Sequence, residues 1–219
     1  EYIFNPSNPG FGTAHNIAIN KYLMTAKYHL VLNPDVYFGE GVLEELFHFM
    51  ESNMNIGHVM PKVLYPNGDT QYLCKLLPTP MDLFFRRFIP FRSIRDRNNF
   101  QYELRYTGYN HIMEVPYLSG CFMLLRSSVL KEIGVFDERY FMYPEDVDLT
   151  RRINEKYKTI FYPNVHIYHE FEKGSSKNMR LFIIHVTSMI KYFNKWGWIF
   201  DSKRSKTNAQ IRQQLSQIQ

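Results

Sequence analysis

Cysteine is almost absent from this chain: two in 219 residues, Cys74 and Cys121, with no CxxC or Cys/His spacing. That excludes a disulfide framework and a thiolate zinc site, and makes a reducing, cytoplasmic setting the expectation. No apolar run approaches the ~20 residues that a membrane-spanning helix needs. The longest candidate, 181–190, is broken by His185 and two hydroxyl residues. The chain opens Glu1-Tyr2-Ile3-Phe4, without the basic start and apolar stretch of a secretory signal. Any membrane contact is therefore expected to be peripheral. GxGxxG, P-loop and HExxH patterns are missing, which sets aside dinucleotide-fold, ATPase and zinc-protease chemistry.

Aromatic residues, by contrast, are abundant at 16%, with 16 Tyr and 18 Phe. Such rings fill cores, but they also stack on sugars and bases and suit membrane interfaces. With 45% hydrophobic and 21% charged residues, the composition is that of a globular domain. The net charge of +5 suits an anionic ligand, such as a nucleotide diphosphate or an acidic lipid surface. Nucleic acid is not an expected partner, since no recognised reader motif is present.

The pattern along the chain predicts alternating strands and helices. A short strand is expected at Tyr2 to Phe4, a helix over His15 to Thr25, and a strand over Tyr28 to Leu32 closed by the turn Asn33-Pro34-Asp35. A helix over Val42 to Glu51 carries Val42, Leu43, Leu46, Phe47 and Met50 on one face. A strand over Ile56 to Leu64 ends in the turn 66–69. From 75 to 114 periodicity fades into an irregular, arginine-containing excursion that includes Arg86 and Arg87. A buried strand then follows 117–120, and Ser127 is expected to cap a short helix stopped by Gly134. Pro144 should begin a helix through about Tyr157, and a strand at Thr159 to Tyr162 leads to His166 and His169. A polar loop at 173–176, an aromatic helix over Asn178 to Phe193 and a frayed polar end from Ser202 complete the expectation. This alternation argues for an α/β layered domain, with ligands at the carboxyl ends of strands.

Four segments could carry chemistry. In Tyr143-Pro144-Glu145-Asp146-Val147-Asp148, the carboxylates sit at a helix start, where the dipole favours negative charge. Asp146 and Asp148 are two positions apart and must diverge around the helix, so one can face a cleft while the other pairs with Arg151 or Arg152. Asp35, ending a strand, is placed to meet a hard divalent cation bridging phosphates, although an ordinary Asx-Pro turn has the same sequence. Gly10 and Gly12, leading into a helix at Asn16, can present backbone N–H groups to an anion; a plain loop-to-helix junction reads alike. In 166–169, His166 and Tyr168 share one strand face and His169 takes the other, which leaves His169 open to a ligand role.

Taken in order, 8–16, 32–36, 118–126, 134–149 and 162–169 resemble the inverting family-2 glycosyltransferases of GT-A fold, and most closely the bacterial rhamnosyltransferase branch. The resemblance implies a Rossmann-like mixed sheet with flanking helices. It implies Asp146 as catalytic base with Glu145 beside it, helping to position the acceptor. Asp35 falls at the metal and donor diphosphate, His169 near the metal, and Gly10, Gly12 and Asn16 on the donor side. Ser119 and Gly120 fall on the acceptor side. It further implies Mg²⁺ or Mn²⁺, a nucleotide-sugar donor such as dTDP-rhamnose, and a saccharide or lipid-linked acceptor. Strands that hold the nucleotide base and ribose in such enzymes have no counterpart here, so a truncated domain with an exposed sheet edge, prone to self-association, is expected. A non-catalytic interaction domain is the alternative reading. The expected organisation is a catalytic portion at 1–175, a helical, membrane-proximal segment at 176–201 and a polar tail at 202–219. The basic and aromatic residues Lys195, Trp196, Trp198, Lys203 and Arg204 would favour the inner face of a cell membrane.

Overall fold

The computed structural model describes residues 1–82, 91–170 and 179–217. The expected Arg86-Arg87 run and the polar loop at 173–176 lie outside the described residues. Strands β1 (Tyr28–Leu32), β2 (Val36–Tyr37), β3 (Ile56–Leu64), β7 (Phe122–Arg126) and β8 (Lys158–His169) form a sheet in the order β1-β7-β3-β8-β2. Strand β5 (Met113–Glu114) pairs β8, and β4 (Cys74–Lys75) pairs β6 (Tyr117–Leu118) in a separate ribbon. Only β3 and β8 run parallel; the other pairs are antiparallel. This is the mixed sheet that was expected, with β1 as an end strand.

Alternation in β7 separates two cores. Phe122 and Leu124 face one apolar layer with Leu46, Met50 and Val59, while Met123 and Leu125 face another with Ile19, Val129 and Leu149. Each strand position thus serves one face, as a period of two requires. Helix α2 (Val42–Ser52) buries Val42, Leu46 and Met50, one per turn. Leu43 and Phe47, expected on the same face, are exposed, so the buried stripe is narrower than the apolar one.

Several boundaries move, each for a physical reason. No strand forms at Tyr2 to Phe4, where Tyr2 and Phe4 are exposed and no ladder partner faces them among the described residues. Helix α1 (Phe11–Tyr22) starts four residues early, because Gly10 at φ +97° makes the turn that begins it. The excursion contains α3 (Arg92–Tyr102), followed by a short 3₁₀ turn at Arg105–Thr107. Ser127 is the first residue of α4 (Ser127–Ile133) rather than its cap, and its hydroxyl makes no capping bond. Pro144 caps α5 (Glu145–Asn154) from outside the helix.

Strand β8 does not stop at Tyr162. Its ladder with β3 jumps from Pro61↔Tyr162 to Lys62↔His166, so 163–165 bulge out where Pro61 and Pro163 can donate no N–H. The strand then resumes to His169. Nor is the end frayed: α7 (Ser202–Leu215) buries Arg204, Asn208, Ile211 and Leu215. It follows α6 (Met179–Trp196) and is tied to the segment after β4 through Asn208, which bonds both backbone groups of Leu77 at 2.9 and 3.0 Å. Among the described residues no helix is long and apolar enough to cross a membrane.

Candidate active site

Topology brings distant segments to one end of the sheet. Because β7 runs antiparallel to β1, the pair Leu32↔Phe122 puts the Asn33–Asp35 turn beside 119–121, and Asn33 N–H donates to Cys121 O at 3.0 Å. Val36 pairs His169, so the carboxyl end of β8 meets the same turn. A cleft of about 1020 Å³ opens there. Asn33, Asp35, Ser119, Gly120, Glu145, Asp146 and His169 all line it, with Phe11, Tyr117 and Tyr143 adding aromatic faces. Residues on α6, including Val186, Met189 and Ile190, form an apolar wall.

Asp146 is 8% exposed. Gly120 N–H donates to its Oδ2 at 2.9 Å and Val147 N–H to its Oδ1 at 2.7 Å. A side chain at 120 would meet Asp146 Cβ at 3.2 Å, so glycine permits this close approach. Burial raises the Asp146 carboxyl, partly offset by the Gly120 N–H and by the positive charge of Lys75. Glu145 is also buried, and its Oε2 has no hydrogen-bond partner among the described residues. Burial and then the charge of Asp146 push Glu145 upward as well. Two neighbouring buried carboxyls that resist ionisation are the arrangement expected of an acid/base site. Immediately before them Tyr143 adopts φ +94°, a strained backbone for a side chain of that size.

A stability prediction follows from Glu145. A carboxyl raised on folding keeps its proton in the native state when the unfolded chain has released it. Its stabilising contribution is complete below the ordinary carboxylate range and is lost as pH rises through the raised value. Glu145→Gln, neutral throughout, is expected to be more stable than the native chain at about pH 9, on the order of 1–3 kcal/mol, and equal to it near pH 4. Thermal melts at both pH values check this; equal or lower stability of the variant at the higher pH rejects it.

Asp148, two residues on, points elsewhere. It is fully buried, accepting from Arg152 Nε at 2.8 Å, Lys195 Nζ at 2.6 Å and Trp196 Nε1 at 2.8 Å. The divergence of Asp146 and Asp148 and the arginine brace are as the helical offset predicts. Arg151 pairs Asp201 at 2.8 Å instead, over the Trp196 ring. Of the basic and aromatic residues expected at a membrane, Lys195 and Trp196 bond Asp148 and buried Arg204 bonds the carbonyls of Gly197, Trp198 and Ile199, while Trp198 and Lys203 are exposed. Ile199 and Phe200 remain exposed.

Gly10, Gly12 and Asn16 do not line the cleft. A Cβ on Gly10 would overlap Phe141 O, and Phe11 N–H already donates to that carbonyl at 2.9 Å. Gly12 lies against Phe136 and Glu145. Asn16 exchanges bonds with the Phe136 backbone at 2.9 and 3.0 Å and donates to Glu138. In this fold the glycines serve close packing of α1 on 136–145.

Asp35 and His169, 134 residues apart, do come together. His169 Nε2 lies 3.4 Å from Asp35 Oδ1 and 3.5 Å from Asn33 Nδ2. Asp35 Oδ1 is buried, with no hydrogen-bond partner among the described residues. An orphaned carboxylate oxygen beside an imidazole nitrogen fits a divalent cation. Among the described residues no third His, Cys, Asp or Glu joins them, so these two would be its protein ligands. Periodicity did not single out Gln71 and Lys75. Gln71 follows the 66–69 turn with nothing in its spacing to mark it, yet it is buried against His169. Lys75 lines the cleft, with its ammonium 5.0 Å from the Tyr117 ring centroid.

Comparison with known proteins places this architecture. Residues 1–182 match the family described as Glycosyltransferase like family 2. The chain is 29% identical over 178 residues to N-acetylglucosaminyl-diphospho-decaprenol L-rhamnosyltransferase of Mycobacterium tuberculosis strain H37Rv, covering 74% of this chain and 56% of that protein. It is 26% identical over 155 residues to the low-salt glycan biosynthesis hexosyltransferase Agl10 of Haloferax volcanii, covering 69% and 45%. The chain thus spans about half the length of the curated relatives it matches. Its fold is similar to that of GalNAc-T7, crystallised with UDP, GalNAc and Mn²⁺, at a TM-score of 0.56 and 14% identity, over 81% of this chain and 33% of that one.

Proposed function

Because the chain belongs to glycosyltransferase-like family 2, we propose that its cleft moves a sugar from a nucleotide-diphosphate donor onto a hydroxyl of a saccharide or lipid-linked acceptor, with Asp146 as general base. What carries this reading is one cleft lined by a buried, backbone-held carboxylate and by the Asp35–His169 pair. The mycobacterial relative is by name an L-rhamnosyltransferase acting on N-acetylglucosaminyl-diphospho-decaprenol. By that likeness, the specific donor proposed is dTDP-rhamnose and the acceptor a lipid-linked saccharide, which the apolar wall of α6 suits.

A sugar hydroxyl is a weak nucleophile, so a carboxylate must take its proton as the new bond forms. Asp146 is made more basic by burial while two N–H groups fix its orientation. The acceptor oxygen attacks the anomeric carbon through an oxocarbenium-like transition state. Its proton passes to Asp146, and the electron pair of the breaking carbon–oxygen bond leaves with the diphosphate. One displacement of this kind inverts the anomeric centre. Glu145, kept protonated by its surroundings, offers a hydrogen bond that orients the acceptor. Asp35 and His169 would hold Mg²⁺ or Mn²⁺, which when bound neutralises the charge gained by the leaving diphosphate.

Calorimetric titration with UDP and with dTDP, with and without Mn²⁺, tests the donor side. The expected result is metal-dependent diphosphate binding that Asp35→Ala removes. No heat at ligand concentrations of about 1 mM, a Kd range worth only about 4 kcal/mol, would instead favour the non-catalytic interaction domain.

A further inference from the structure

The imidazole of His169 has two nitrogens, and a neutral ring can meet a cation only through the one without a proton. Which nitrogen that is depends on what holds the other. In this fold the answer comes from Gln71, a residue outside every motif of the site. Its backbone N–H donates to Val63 O at 2.9 Å, which continues the sheet past the 66–69 turn. Its side chain is 2% exposed.

The orientation of the Gln71 amide is determined by its neighbours. Nε2 lies 2.7 Å from His169 O and 3.3 Å from Leu64 O. Both are carbonyl oxygens and can only accept, so the group facing them must be the NH₂. The other end is therefore the oxygen, and it lies 3.0 Å from His169 Nδ1. An amide oxygen can only accept, so Nδ1 bears the proton. The lone pair of the neutral ring is left on Nε2. That atom faces Asp35 Oδ1 at 3.4 Å, and Asn33 Nδ2 at 3.5 Å is a donor consistent with a lone pair there. Two lone pairs opposed across 3.4 Å repel each other unless a proton or a metal cation lies between them.

We propose that Gln71 is a positioning residue for this site: its amide grips both the backbone carbonyl and Nδ1 of His169, and so locks the ring with Nδ1 protonated and the Nε2 lone pair turned toward Asp35. The metal consequence rests on the function proposed above; the tautomer does not. Partners that orient metal-binding histidines in this way commonly govern affinity by about 10–100-fold.

The test uses the metal-free, ¹⁵N-labelled chain at alkaline pH, where the ring nitrogens report the tautomer by NMR. The expected wild-type tautomer of His169 is Nδ1–H. Gln71→Leu keeps the volume and removes the acceptor; it should populate Nε2–H and weaken Mn²⁺ binding about 10–100-fold. Asp35→Ala should lose Mn²⁺ while leaving the tautomer unchanged, a separation that general loosening would not produce. Nε2–H as the wild-type tautomer overturns the proposal, and so does Gln71→Leu with tautomer and Mn²⁺ affinity both unchanged. The wild-type measurement decides the matter even if the variant fails to fold. Nδ1–H without Mn²⁺ uptake removes the metal reading and upholds the orientation by Gln71.

Discussion

Asp146→Asn is expected to lower sugar transfer by about 10²–10⁴-fold or more, the range over which a positioned proton acceptor contributes, with diphosphate binding retained. The two losses are expected to separate because Asp146 is held by the Gly120 and Val147 N–H groups, whereas Asp35 faces His169. Asn keeps the shape and one oxygen acceptor. Its NH₂ must face one of those two N–H donors, which costs on the order of 1–2 kcal/mol of stability. The same change removes a buried carboxyl that resists ionisation, so the net effect on folding is small. Initial rates, diphosphate titration and thermal melts on one preparation check the three statements, and turnover near the wild-type rate would sink the base assignment. Under this reading the native chain should also gain rate as pH rises through the first ionisation of the carboxyl pair, above the ordinary carboxylate range, because only an ionised Asp146 accepts a proton, and should lose it again once Glu145 ionises as well.

The second large effect falls on the fold. Asp148→Ala should cost about 3–5 kcal/mol, because it leaves charges in a mostly dry interior without their counter-ion. Asp148 is 0% exposed and collects Arg152, Lys195 and Trp196 at 2.6–2.8 Å. Arg152 does not depend on it alone, since it also donates to the carbonyls of Ile133 and Val135. Lys195 keeps Asp137 at 2.8 Å. Those second partners hold the expected loss within this range. Urea denaturation compares the two chains; a change below about 1 kcal/mol, the scale of an ordinary surface substitution, would show that the network is solvated after all. One aspartate should thus yield a folded, inactive protein and the other an unstable one, although they are two residues apart.

That contrast was legible in the sequence, because a two-residue offset on any helix separates side chains by more than half a turn. β1 and β3 were equally legible, as apolar runs punctuated by strong turns. The continuity of β8 through 163–165 was not, although 166–169 read as a strand face pattern. Pro163 looks like a stop, and only the facing Pro61 in β3 turns the stop into a bulge. α7 escaped because its buried stripe at 204, 208, 211 and 215 has helical spacing but begins with Arg and Asn. Their polarity is satisfied by backbone groups that no pattern reveals. The glycines at 10 and 12 show the converse: a glycine required by a ligand and one required by a neighbouring helix look the same until the neighbour is seen. Within the site, resemblance alone linked Asp35 to His169, and nothing linked Gln71 to either.

The Asp148 network joins two parts of the cleft that would otherwise be independent. Lys195 and Trp196 belong to α6, the apolar wall; Asp148 belongs to α5, whose first turn carries Asp146. Tyr192 hydroxyl on Arg151 and Arg151 on Asp201 add further rivets to the same seam. The wall and Asp146 are therefore one jaw. Swinging α6 outward to widen the cleft must either break the buried Asp148–Lys195 pair or drag Asp146 along with it. The width of the cleft on this side is set by charges distant in sequence, so under the proposed function the girth of acceptor that fits would be fixed when the chain folds rather than when it binds.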